Sequence, residues 1–152
     1  MAASYFATEF GEKELGVEYR EGAIKIKAAL EKYLYLPKEK RFARMATFDR
    51  EGKATLDPAL DASLYGLVAF GVYEPKDPKV VSTMEQIFST LEVNGGIIRY
   101  ENDSYYRENE GARSNPWFVT TLWKAQYLIA SSANKSDLQA PLDLWVARGI
   151  LG

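Results

Sequence analysis

The chain contains no cysteine and no histidine in 152 residues. The first absence removes disulfides, thiolate nucleophiles and thiolate metal sites, and the second removes imidazole ligands and the usual base near neutral pH. No metal site and no cofactor are therefore expected, and any acid or base chemistry falls to carboxylate, tyrosine or lysine. Excess basic charge is missing as well: 19 Lys and Arg stand against 21 Asp and Glu, a formal net charge of -2. Without a basic run nothing is present to neutralise a phosphate backbone or grip an anionic leaflet, so neither nucleic acid nor membrane is an expected partner. No segment nears the roughly 18 apolar residues of a membrane span, and MAASYF at the start is no signal peptide, which makes a cytoplasmic location the expectation.

Low-complexity tracts, Pro/Gly/Ser-rich linkers and residue-level repeats are absent too, so residues 1–152 read as a single helical domain. A short helix is expected over Ala3 to Phe10, broken at Gly11. From Glu12 to Tyr35, Leu15, Tyr19, Ala23, Ile26 and Leu30 recur at steps of three and four, the mark of an amphipathic helix. RFARMATF, DREGK and ATL then read as a hairpin turning at Asp49 to Gly52. Ala59 to Tyr73 carries one charge, Asp61, and predicts a helix buried on every side. Asp77-Pro78 supplies an N-cap and a first-turn proline for a helix striped by Val80 or Val81, Met84, Ile87 or Phe88, and Leu91, ended by Asn94-Gly95-Gly96. WFVTTLWKAQYLIA, after Asn115-Pro116, predicts a second buried helix. A last amphipathic helix, Ser136 to Arg148, should face inward with Leu138, Leu142, Trp145 and Val146 and hold Pro141 in its first turn.

The alternation of amphipathic and buried helices predicts an all-α fold, a partial α/α toroid of inner and outer helices with a small β-hairpin near residues 41–56. A partial ring leaves inner helices uncovered, which implies a homo-oligomer or a complementing chain.

The long connection GGIIRYENDSYYRENEGARSNPWF, Gly95 to Phe118, exceeds most structureless loops in compact domains, and such loops are usually functional or disordered. Its aromatics favour packing over disorder. Flat rings, an arginine fork and carboxylates are the ingredients of a sugar site. Composition alone favours a solvated loop pinned by its tyrosines over a sugar site, and Trp117 before a buried helix reads by itself as core.

GIIRYENDSYY followed by NPWFVTTLW resembles the glucoamylase-type enzymes of glycoside hydrolase family 15, whose pattern here is close to G-R-Y-x-x-D-x-Y-Y and then N-P-W. The likeness extends more weakly over most of the chain, through RFAR and LDASLYGLVAFGVYEPKDP to DLWVARGI, and resembles that family's C-terminal part. The resemblance implies an (α/α)6 toroid, inverting α-glucosidase chemistry and an α-glucan or oligosaccharide as partner. It implies that Arg99 hydrogen-bonds the sugar at the cleavage site, that Tyr105 lines the same pocket and Trp117 borders the next sugar, and that Asp103 holds the arginine or the loop. Two features depart from the pattern. RENEGARS, Arg107 to Ser114, lengthens the connection to N-P-W and is expected to lift the loop, and Ile98 stands where a small residue is common.

An inverting glycosidase needs an acid and a base about 6.5 to 9.5 Å apart. The resemblance places them before and after the stretch seen here, so no catalytic residue is assigned to this chain, and as an isolated chain it is expected to be inactive. Glu85-Gln86 matches the base's dipeptide but falls on an outer helix. Glu101, Asp103, Glu108 and Glu110 lie among arginines without the apolar pocket that raises a carboxyl's pKa. The alternative reading is a non-catalytic helical module that binds a glycan or a protein partner.

Overall fold

The computed structural model describes residues 1–105, 107, 109, 111–132, 134–140, 142–143 and 146–147. Among them two N-terminal helices, α1 (Ala2–Glu9) and α2 (Lys13–Tyr33), precede a run of short hairpins. Strands β1 (Tyr35–Leu36) and β2 (Arg41–Phe42) pair antiparallel, then β3 (Met45–Phe48) with β4 (Ala54–Asp57) in the register Met45 to Asp57 and Phe48 to Ala54. A 3-10 turn (Ala62–Tyr65) leads into the four-residue α3 (Gly66–Ala69), followed by α4 (Pro78–Leu91), β5 (Glu92–Val93), β6 (Gly96–Ile97), α5 (Phe118–Ser131) and a second 3-10 turn (Lys135–Leu138).

The core gathers on one face of α4. Val80, Met84, Ile87 and Leu91 are sealed from solvent there, against Phe42 of β2, Leu64 and Leu67 of the 3-10 turn and α3, Ile97 and Ile98, and Tyr127 of α5. Each such apolar side chain contributes about 1.5 to 3 kcal/mol relative to exposure. The helix begins as its sequence requires: Asp77 accepts from the Lys79 amide at 2.9 Å and Pro78 occupies the first turn. Glu31 of α2 ties this centre to the N-terminal helices, accepting from the Tyr73 hydroxyl at 2.9 Å and pairing with Lys79.

Several expectations are corrected. Ala59 to Tyr73 is not one buried helix: Asp61 is extended and caps the 3-10 turn by accepting from the Ser63 amide, and Gly71 takes a positive φ of 65°. Its backbone has another use, pairing with residues 99–101, and Phe70 is left 86% exposed. The end of α4 also differs, because Asn94 and Gly95, at φ 49° and 77°, form the two-residue turn of the β5–β6 hairpin. Two positive φ values in an Asn-Gly pair are the hairpin-turn signature, and the helix has already ended at Leu91.

The apolar stripe of α2 is mostly uncovered, with Leu15, Tyr19 and Ile26 exposed and only Gly16 buried. The helix meets α1 at one close crossing, where Ser4 Oγ donates to the Gly16 carbonyl at 2.7 Å. Helix α5 is half-buried, with Phe118 and Val119 open to solvent. In the last segment Leu142 and Val146 are exposed rather than inward, and Pro141 and Trp145 lie outside the described residues. A periodic apolar stripe marks a face that gains by being covered, and the covering element has to come from somewhere. Among the described residues no helix is long and apolar enough to cross a membrane.

Candidate functional site

The site is assembled on backbone between β6 and α5. Ile97 is the hub: its amide donates to Thr121 Oγ1 at 3.0 Å, and its carbonyl accepts from the Trp117 amide at 3.0 Å and from the Thr120 hydroxyl. These bonds fasten the first turn of α5, and with it Trp117, to the strand that runs on into Arg99. Thr120 and Thr121 are thus buried hydroxyls spent on satisfying backbone at a helix start. On the other side, residues 60–62 pair with 99–101: the Ala62 amide donates to the Arg99 carbonyl at 2.8 Å and the Glu101 amide to the Leu60 carbonyl at 3.0 Å. Ile97 and Ile98 both enter the core, while the Arg99 side chain stays partly exposed outside it. The bulk of Ile98 therefore does not compete with Arg99 for space.

Arg99 donates from Nε and Nη2 to the two Asp103 oxygens, both at 2.7 Å. Its guanidinium carbon stands 4.8 Å from the Tyr105 ring centre, 4.7 Å from Trp117 and 5.3 Å from Tyr100, an aromatic cage about a planar cation. Tyr105 and Trp117 are themselves neighbours, their ring centres 5.8 Å apart and tilted by 34°. The arginine side chain is 30% exposed, and Tyr105 49%, so the arrangement has an open face. Nη1 carries two donors that the bidentate pair with Asp103 does not use.

Asp103 is 1% exposed and is the pivot of the loop. Besides Arg99, it accepts from the Tyr105 amide at 3.0 Å. The Arg99 guanidinium holds its carboxyl below the usual range, helped by the Tyr105 amide, while burial pulls the other way; the same pair raises Arg99 above its ordinary value. A carboxylate so paired is an orienting group. Glu101 is likewise committed, accepting from the Leu60 amide at 2.6 Å. Glu85 is exposed on α4 and Gln86 donates to the Glu39 carbonyl at 2.9 Å, while Glu108 and Glu110 lie outside the described residues. Among the described residues no group of three or more carboxylates is arranged to hold a metal ion.

The structure thus brings Arg99, Asp103, Tyr105 and Trp117 together, and adds two residues that the sequence reading left out. Tyr100 sits between two guanidiniums, those of Arg99 and of Arg44, whose carbon is 4.9 Å from the ring centre. Arg44 is fixed by Asp57, through Nε at 3.1 Å, and by Asp61 at 3.8 Å. Asp57 is lowered, first by the Ala59 amide it accepts from and then by Arg44. The signal was present: the hairpin register sets Arg44 beside Asp57, but its approach to Tyr100 depends on the pairing of residues 60–62 with 99–101.

An arginine framed by rings and steadied by a buried carboxylate, on a helical scaffold, suits a carbohydrate-active protein, and comparison with known proteins places the chain in that class. Residues 1–144 match the family described as Glycosyl hydrolases family 15, and the chain belongs to that family. It is 33% identical over 104 residues to an uncharacterised glycosyl hydrolase of Methanocaldococcus jannaschii, a match covering 67% of this chain and 15% of that protein. The fold is similar to part of a bacterial glucoamylase whose crystal structure is a complex with acarbose, at TM-score 0.69 and 19% identity, over 96% of this chain and 26% of the glucoamylase. The chain thus spans a small part of each protein it matches.

Proposed function

We propose that the chain is the sugar-contacting segment of a glucoamylase-type α-glucosidase domain. Arg99 donates from Nη1 to a sugar hydroxyl, Tyr105 and Trp117 offer ring faces to the sugar, and Asp103 keeps the guanidinium aimed. The observation that carries this reading is the bidentate Arg99–Asp103 pair inside a three-ring cage with one open face. A fork fixed in advance loses little freedom when a hydroxyl arrives, which is what recognition of a flexible, strongly hydrated ligand requires. Family membership and the acarbose complex of the similar glucoamylase support an α-glucan or oligosaccharide as the ligand class.

Catalysis needs two carboxyls, and among the described residues of the loop Asp103 and Glu101 are both engaged in holding it. The exposed apolar residues of α1 and α2, with Phe70, suit burial by further family-15 helices that complete the ring. The test is incubation of the purified chain with maltooligosaccharides. No glucose release is expected, whereas turnover abolished by Glu101→Gln would overturn the reading.

A further inference from the structure

The described residues of the insertion Arg107 to Ser114 bond back to the loop. Arg107 Nε donates to the Asp103 carbonyl at 2.7 Å, and at the far end the buried Ser114 hydroxyl donates to the Tyr105 carbonyl at 3.3 Å. Between them Asn109 accepts from the Gly111 amide at 3.1 Å through its side chain and from the Ala112 amide at 3.1 Å through its carbonyl. Arg113 then reaches across to the end of α4 and β5, donating to the carbonyls of Thr90 and, at 3.1 Å, Glu92. A cation set on the last carbonyls of a helix is favoured both by the hydrogen bonds and by the helix dipole.

We infer that the insertion is a strap that holds the Asp103–Tyr105 turn in place, with Arg107 and Arg113 as positioning residues for the Arg99 site. Three observations combine. Both ends of the strap close on the two residues that orient Arg99 and present the Tyr105 ring. Arg113, beside its far end, is anchored to the end of α4, whose other face carries the core. A cavity of about 310 Å³ remains between the strap and the helix end, lined by Arg107, Arg113, Ser114, Asp103 and Glu101 among others, so hydrogen bonds rather than apolar packing hold the strap down. Breaking one of them frees the turn without emptying a core site. The sugar-binding consequence rests on the function proposed above, while the positioning itself does not.

Amide hydrogen exchange on the full chain separates the two. The Tyr105 amide, which donates to Asp103, reports the turn, and the Trp117 amide, which donates to Ile97, reports the framework. Arg113→Ala and Arg107→Ala are each expected to speed exchange at Tyr105 about fivefold with Trp117 unchanged, and Arg113→Lys to recover part of the protection. Calorimetry with acarbose should show about a fivefold weaker Kd for the two alanine variants. Unchanged exchange at Tyr105, or an equal rise at Trp117, overturns the strap. Acarbose that fails to bind the wild-type chain removes the sugar reading and leaves the exchange result to stand by itself.

Discussion

Arg99 and Asp103 face each other across a tight turn rather than along a helix: the Asp103 amide closes the turn on the Tyr100 carbonyl at 3.3 Å, with Asn102 at φ 60°. The left-handed region that turn demands is one asparagine tolerates better than most residues. The bidentate pair, the Tyr105 amide on the same carboxylate and the three rings around the cation all follow from that local geometry. The orientation of the Arg99 guanidinium is therefore a property of the turn as much as of the arginine.

Acid should loosen this arrangement. Asp103 is lowered chiefly by its bond from Arg99, Asp57 by the Ala59 amide and then Arg44, and Glu31 by Lys79. Unfolded Asp and Glu titrate near about 3.9 and 4.3. Native values below these mean that the native state binds fewer protons in the interval, so the stabilisation is full above about pH 4.3 and is lost as pH falls through the native values. Urea midpoints should be level from about pH 5 to 8 and fall below about pH 4, with Asp103→Asn lowering the plateau and flattening the acid slope. A midpoint that rises on acidification contradicts the assignment.

Gly96 sits where there is no room for a side chain. A Cβ there would lie 2.6 Å from Pro116 Cβ and 3.1 Å from Thr121 Oγ1. Neither neighbour is a free side-chain end, since one is a ring and the other is committed to the Ile97 amide. Gly96→Ala should cost about 1 to 3 kcal/mol by overpacking. It should also move Trp117, because Pro116 precedes it, and equilibrium unfolding followed by tryptophan fluorescence reads both effects.

Phe70, Ile24 and Ile26 line an apolar surface cavity of about 480 Å³ beside α2. Removing exposed apolar area leaves the isolated fold nearly untouched, so Phe70→Ser and Ile24→Ser should alter stability by less than about 0.5 kcal/mol. Light scattering should show the wild-type chain associating as concentration rises and the double variant associating less. Equal behaviour of the two would show that this surface is not what makes the chain sticky.

The amphipathic α4, its Asp-Pro start and the hairpin after residue 41 were legible because each rests on local chemistry: a period, a cap, a turn. The Ala59–Tyr73 segment misled, since composition reports that a stretch is apolar but not whether its backbone is needed elsewhere, here against residues 99–101. Burial of α2, α5 and the last segment was overestimated for a related reason, as a stripe on a helix says nothing of whether its cover is present. Arg99, Asp103, Tyr105 and Trp117 were singled out through the family resemblance of their motif, and the structure brings the four side chains together. Arg44 was not, because its place beside Tyr100 is a long-range consequence of how the hairpin packs.

Titration calorimetry of the chain with acarbose, for wild type, Arg99→Ala and Trp117→Ala, tests the central claim most directly. The account predicts weak saturable binding by the wild type, with Kd on the order of 1 mM or tighter, weakened at least about tenfold by Arg99→Ala and several-fold by Trp117→Ala. Equal affinity in all three proteins would contradict it, as would binding that survives only when Arg99 is removed.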